Sequence, residues 1–356
     1  MAKFKKVVLV TGGCGFIGSN FLNRFVPSRP EWLWINLDSL TYAGNQMSVA
    51  SLCSRENYKF ARVDINEFKS LDAVFEEHNP EWVVHFAAES HVDRSIHGPK
   101  QFLQTNVMGT LNLLECCRAR WQGSDECVFQ HVSTDEVYGS LGREGLFTES
   151  TAYDPSSPYS ASKAASDHLV RAYHRTYGLP VRITNCSNNY GPRQFPEKLI
   201  PLMILNCLER KRLPVYGDGS NIRDWLYVDD HCDAILTVLL RGVDGETYNI
   251  GGNNEVTNLD VVKMVCAQVA LQTDCSSLDL ESLIQFVPDR PGHDWRYAID
   301  ATKMLSQLEW KPKDTFTTGL AKTVSWYLGN PEWVEAVKTG AYRDWIEKQY
   351  AREVTA

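Results

Sequence analysis

The chain has no uninterrupted apolar run long enough to cross a bilayer, which excludes a bundle of membrane-spanning helices. It has no C-x-x-C pair. Its ten cysteines are scattered, with Cys116 and Cys117 side by side on an expected helix, which excludes a zinc ribbon or a disulfide framework and suits reduced thiols. Positive charge is in deficit: 36 Lys and Arg against 44 Asp and Glu leave a net charge of −8. That balance argues against nonspecific binding to nucleic acid or to an anionic membrane surface. It still permits a phosphorylated small molecule, because backbone amides and a few arginines bind phosphate on an acidic protein. There is no internal repeat and no low-complexity segment. The short apolar run Val7 to Val10 leads into Thr11, Gly12 and Gly13 where a secretion signal would carry a cleavage site. It is therefore expected to be a strand, and the cytoplasm is the expected location.

What the 356 residues do have is alternation. Strands are expected over Lys6 to Thr11, Leu33 to Asp38, Trp82 to Ala87, Cys127 to Ser133 and Pro180 to Cys186. Helices are expected over Phe16 to Val26, Glu67 to His78, Gln101 to Arg120 and Tyr159 to Tyr177. Runs such as Val83, Val84, His85, Phe86 and Ala87 show little polar alternation, as strands covered on both faces do. Strand–helix alternation implies βαβ crossovers and an α/β, doubly wound parallel sheet of Rossmann type. After about Pro192 the rhythm loosens. Turn signals cluster at Tyr216 to Ser220, Gly251 to Asn254 and Asp289 to His293, with a helix over Leu259 to Leu271 between them. The expected division is a first domain over 1–192, to which later segments can return, and a smaller mixed α/β lobe over 193–356. Trp326, Trp333 and Trp345 are expected as packing anchors.

The segment Thr11-Gly12-Gly13-Cys14-Gly15-Phe16-Ile17-Gly18 follows a strand and opens a helix. It satisfies G-x-G-x-x-G through Gly13, Gly15 and Gly18, and the wider G-x-x-G-x-x-G through Gly12, Gly15 and Gly18. Such glycines permit a tight turn and let the backbone approach a pyrophosphate on the helix N-terminus. Asp38 lies about 20 residues beyond Gly18, where an acid binds the adenosine ribose. A carboxylate there repels a 2′-phosphate, so NAD is expected over NADP.

Tyr159 and Lys163 are four apart and share a helix face. Tyrosine's ordinary pKa of about 10 makes it a poor base. A nearby ammonium and the positive charge of an oxidised nicotinamide favour the phenolate, which can then take a proton from an alcohol as hydride leaves the same carbon. Upstream, the acids Asp135 and Glu136 follow Ser133 and Thr134 at the end of an expected strand. A plain alcohol dehydrogenase does not need this second pair; an elimination does. Strand side chains alternate, so both acids reach one ligand only if the backbone turns there. They also need different protonation states, and burial plus the neighbour's charge would raise that of Asp135.

These residues resemble the extended short-chain dehydrogenase/reductase superfamily and, within it, the dTDP-glucose 4,6-dehydratase family. The resemblance covers nearly the whole chain: Thr11 to Ser19, Leu40 to Asn45, His85 to Ser95, Ser133 to Gly139, Tyr159 to Lys163, Asn185 to Pro192, Pro196 to Pro201 and Asp289 to His293. Cys14 departs from it, standing where Ala is more usual. The resemblance implies NAD as cofactor and transient oxidation at C4 of the sugar. Loss of water across C5 and C6 and hydride return to C6 would follow, giving dTDP-4-dehydro-6-deoxyglucose. It implies Tyr159 as alcohol base, Glu136 as C5 base, Asp135 as C6 acid, and Thr134 on the C4 oxygen.

On the cofactor side the resemblance implies Gly12, Gly15, Phe16, Ile17, Gly18 and Asp38. It puts Asp64 and Ile65 beside adenine, Ala87, Ala88 and Ser90 along the cleft, Thr105 near the nicotinamide, and Tyr159, Lys163 and Asn189 also on the cofactor side. For the nucleotide sugar it implies Ser133, Thr134, Asn188, Glu197, Lys198, Leu199, Pro214, Val215, Tyr216, Arg223, Asn258, Arg290 and His293. Arg223 and Arg290 suit a diphosphate, which guanidinium binds bidentately. It also implies a homodimer through the Gln101 to Arg120 and Tyr159 helices. His85, His91 and His131 lie in different elements without ligand spacing, and no metal is expected. A sugar-nucleotide epimerase shares the glycines and the Tyr–Lys pair but lacks the Asp–Glu pair. A dehydratase for UDP-glucose or GDP-mannose, and a non-catalytic dinucleotide sensor, stay open as alternatives.

Overall fold

A computed structural model of the chain describes residues 4–124, 126–289 and 292–338. The first half supplies β1 (Lys6–Thr11), β2 (Trp32–Leu37), β3 (Tyr58–Ala61), β4 (Trp82–His85), β5 (Val128–Thr134) and β6 (Val181–Cys186). The second half adds β7 (Asn188–Tyr190), β8 (Leu213–Tyr216), β9 (Ile222–Tyr227), β10 (Thr247–Ile250), β11 (Glu255–Thr257) and β12 (Ile284–Val287). Seven of these form one sheet in the order β10-β6-β5-β4-β1-β2-β3, and every pairing in it is parallel. Strand order reverses between β1 and β4, which opens a crevice at their carboxyl ends.

Alternation along β1 explains why both faces are covered. Val8 and Val10 pack with Phe21, Phe25 and Val26 of the helix Phe16–Ser28. Leu9 points the other way, into a cluster with Phe75, Leu113 and Val170. Each such side chain stabilises the fold by roughly 1.5–3 kcal/mol on burial. The smaller lobe has its own core, built on Ile204, Val262, Leu320 and Tyr327. Trp333 joins that core and Trp326 packs against it, while Trp345 lies outside the described residues. A three-stranded sheet β11-β9-β7 and the pair β12-β8 complete this lobe. Residues 247–250 return as β10 to the edge of the main sheet beside β6, with Tyr248 and Ile250 fully buried.

Two helices place several of the candidate site residues. The expected helix over Gln101 to Arg120 is present, but its stretch Leu103–Gly109 is a π-helix. Asn106, inside that stretch, accepts from Glu89 N and donates to Glu89 O and Ser162 Oγ. These bonds to other elements hold the widened turn, and no local sequence signal announces them. The helix Pro158–Tyr177 starts with a capping box between Ser157 and Ser160 and with Pro158 at its first position. It ends on Gly178 at φ 69°, a left-handed residue suited to glycine. No described helix is long and apolar enough to cross a membrane, and all ten cysteines are free thiols.

Because Ser157 caps the helix that carries Tyr159, Ser157→Ala is expected to destabilise the protein by about 1 kcal/mol. Thermal unfolding checks this; an unchanged midpoint would remove the cap from the account.

Candidate active site

A cavity of about 940 Å³ opens at the carboxyl ends of the central strands. Every residue assigned above to cofactor, substrate or chemistry lines it, except Arg290, which lies outside the described residues. The glycine loop resolves the choice between its two spacings. Gly12, Gly15 and Gly18 line the cavity, whereas a Cβ on Gly13 would strike Asn36 Oδ1, so that glycine serves loop-to-strand packing. Gly12 has φ 70°, and a Cβ there would stand 2.7 Å from Ala87 N. Gly15 caps the following helix without a side-chain acceptor, which leaves its first amides directed at the cavity.

Asp38 accepts from Cys14 N at 2.9 Å and from Leu40 N at 2.8 Å. Burial raises its pKa, and the two amides partly offset that. The loop, the open helix end and this acid fit a dinucleotide with a free ribose 2′-hydroxyl.

The backbone does turn after β5. A 3-10 turn over Asp135–Tyr138 begins at the strand's last residue, capped by Thr134, whose Oγ1 accepts from Glu136 N at 3.2 Å. Asp135 and Glu136 therefore both face the cavity. Asp135 is 1% exposed, and its Oδ2 has no hydrogen-bond partner. Burial first, then the charge of Glu136, pushes its pKa well above the carboxylate range, with Arg223 opposing. Asn188 Oδ1 is a second buried, unpartnered acceptor on the cavity wall. The Thr134 hydroxyl lies 3.4 Å from Asp135 Oδ1, and on the phenol side it opposes the rise of the Tyr159 pKa.

Tyr159 differs from the expectation that Lys163 lowers its pKa. Burial, then the charge of Glu136, pushes the phenol well above its ordinary value. Lys163 Nζ is directed at Val132 O, 2.9 Å away, instead of at the phenol.

Among the residues expected to hold the nucleotide sugar, Glu197 pairs with Arg94 at 2.9 Å and Lys198 Nζ donates to Ser90 O at 2.9 Å. Arg223 donates to Ile222 O and Asp294 O, and its guanidinium lies 4.3 Å from the Tyr297 ring. His293 pairs with Asp289 at 2.6 Å. Asn189 Oδ1 meets His231 Nδ1 at 2.8 Å.

Sequence reasoning missed Glu89 and Tyr42, which also line the cavity. Glu89 accepts from Gln101 at 2.9 Å, and burial raises its pKa. An acid inside the apolar run that leaves β4 was the available signal.

The family model described as GDP-mannose 4,6 dehydratase matches residues 9–323. The dTDP-glucose 4,6-dehydratase 1 of Escherichia coli (strain K12) is 53% identical over 357 residues, covering 96% of this chain and 98% of that protein. A dTDP-glucose 4,6-dehydratase of Bacillus anthracis, solved in complex with NAD, superposes with a TM-score of 0.84 at 48% identity, covering 94% of this chain and 100% of the other. DesIV of Streptomyces venezuelae, a dTDP-glucose 4,6-dehydratase solved with NAD and TYD bound, gives 0.86 at 47% identity, over 93% of this chain and 100% of the other. The chain belongs to the dTDP-glucose 4,6-dehydratase family.

Proposed function

We propose that this chain is an NAD-dependent hydro-lyase that converts dTDP-glucose into dTDP-4-dehydro-6-deoxyglucose. The observation that carries the reading is the turn after β5. It presents two adjacent acids to the cavity that the phenol of Tyr159 also lines, with burial and Glu136 both raising the pKa of Asp135. The NAD half is held by Gly12, Gly15, Gly18 and Asp38, with Asp64 and Ile65 at the adenine end. When bound, NAD stores the C4 hydride until its return at C6, so no net NADH accumulates. Arg223, Asn188, Glu197 and Lys198 receive the nucleotide sugar. The first lobe then carries the cofactor and the smaller one the substrate.

The steps follow from proton bookkeeping. Tyr159, whose phenolate the positive charge of a bound, oxidised nicotinamide would favour against burial and Glu136, takes the C4 hydroxyl proton as hydride leaves C4. The new ketone makes the C5 proton acidic enough for a carboxylate, and Glu136 takes it. Asp135, neutral through burial, gives its proton to the departing C6 hydroxyl, which leaves as water. Hydride adds at C6 and Glu136 returns its proton to C5. Tyr159 then ends protonated and Asp135 ionised, the reverse of their starting states. Thr134, whose hydroxyl lies 3.4 Å from Asp135 Oδ1 and which lines the cavity with Tyr159, offers a path by which one proton resets the pair.

A homodimer in the cytoplasm completes the proposal. Leu103, Met108 and Tyr177 are exposed on the two helices implied as its interface.

Incubation with dTDP-, UDP- and GDP-hexoses is expected to give a 4-keto sugar, seen by its alkaline absorbance, from dTDP-glucose; turnover of another sugar alone would reassign the substrate. With deuterium at C4, the label is expected in the product methyl group, and its loss to solvent would refute internal hydride return. Glu136→Gln is expected to lower dehydration at least a hundredfold while C4 oxidation persists as transient NADH absorbance; wild-type dehydration would take Glu136 out of the C5 role. NADP⁺ is expected to bind at least tenfold more weakly than NAD⁺ because of Asp38, and equal affinities in a direct titration would contradict that.

A further inference from the structure

Behind the cavity floor lie Asp167 and His131, two fully buried side chains that none of these steps uses. Asp167 stands one helical turn beyond Lys163 and is 0% exposed. Its Oδ2 accepts from Ser133 Oγ at 3.0 Å and from the Tyr153 hydroxyl at 2.8 Å. Its Oδ1 lies 3.2 Å from His131 Nε2. The same His131 nitrogen lies 3.5 Å from Lys163 Nζ. Burying an ammonium without a compensating charge costs several kcal/mol, so an ionised Lys163 in this position needs a counter-ion.

The neighbouring elements supply few candidates. On β5, His131 is held neutral by burial and by the charge of Lys163, with its pKa pushed down to about 4. On β4, burial likewise keeps His85 neutral. On β6, burial pushes the Cys186 thiol up, so it carries no charge. Asp135 and Glu136 act on Tyr159 from the turn after β5. Asp167 is different. Burial disfavours its charge, yet His131, Lys163 and Ser133 together hold its pKa below the ordinary value. Arg171, which donates to the Tyr153 hydroxyl at 2.8 Å, adds a further cation on that side. Lys163 shows the complement: burial lowers its pKa, and Asp167 is the leading charge that opposes the fall.

We propose that Asp167 is a positioning residue for the oxidation step. As the buried counter-ion of Lys163, with His131 Nε2 standing between the two, it keeps the ammonium charged and fixed along β5 so that Tyr159 can ionise. The proposal rests on the reading of Tyr159 and Lys163 as the redox pair. A merely structural acid would, on removal, lower activity equally at all pH values. A counter-ion acts on one protonation equilibrium. Without it the ammonium loses its proton more readily, the phenolate loses a stabilising charge, and Tyr159 becomes a base only at higher pH.

The test is the pH profile of kcat and kcat/KM for the NAD-loaded enzyme with dTDP-glucose, compared among wild type, Asp167→Asn, Tyr153→Phe and Lys163→Met. Asp167→Asn is expected to move the acid limb up by about one pH unit, a roughly tenfold loss below the wild-type midpoint that recovers as pH rises. Tyr153→Phe removes one donor from the carboxylate without changing charge and is expected to give a smaller shift in the same direction. It decides the matter should Asp167→Asn fail to fold. If Lys163→Met moves the limb but folded Asp167→Asn and Tyr153→Phe superpose on wild type, the counter-ion proposal is overturned and the redox pair stands. If Lys163→Met leaves the limb in place, the redox-pair reading fails and takes this proposal with it.

Discussion

Two carboxylates placed side by side in a pocket shielded from water cannot both be ionised cheaply, and the site depends on that constraint. Asp135 and Glu136 are consecutive, so their separation is fixed by the backbone. The 3-10 turn that starts at the end of β5 brings both to the same wall, and near-complete burial of Asp135 decides which one keeps its proton. Low dielectric magnifies the difference between them. In the proposed scheme one acid and one base thus arise from neighbouring residues of like chemistry, and no metal takes part. Thr134 ties the turn together, because its hydroxyl accepts from Glu136 N and lies 3.4 Å from Asp135 Oδ1.

Much of this was legible in the chain. The fingerprint Thr11 to Gly18, the acid at Asp38 and the Tyr159–Lys163 pair are local patterns with a direct mechanical meaning, and their flanking strands and helices fell within one or two residues of expectation. The parallel sheet followed from strand–helix alternation. The turn after β5 was inferred from a conflict: alternating side chains would have sent one acid away from the cavity.

The unread parts are those governed by distant contacts. The short strand β3 has only four residues, Tyr58 to Ala61, too few for a periodic signal. The π-helical stretch owes its shape to bonds from Asn106 to Glu89 and Ser162. Burial and Glu136 move Tyr159 the other way from the simple pairing argument, and i and i+4 spacing fixes a shared face but not where a flexible amine ends. Here it ends on Val132 O. Asp167 belongs to the same class: on the sequence it is one more polar helix position, and only the fold brings Ser133, Tyr153 and His131 to its carboxylate.

The return of β10 to β6 has a consequence for modularity. A chain cut after β6 would leave that strand's outer rim bare, a row of unpaired amides and carbonyls primed for aggregation. Tyr248 and Ile250, which seal that rim, are encoded about 60 positions later, after the polypeptide has already built part of the other half. The two halves are consequently interleaved in the gene as well as in space. Exchange of substrate preference between relatives by swapping one contiguous block would have to carry the sealing strand along or leave it behind intact.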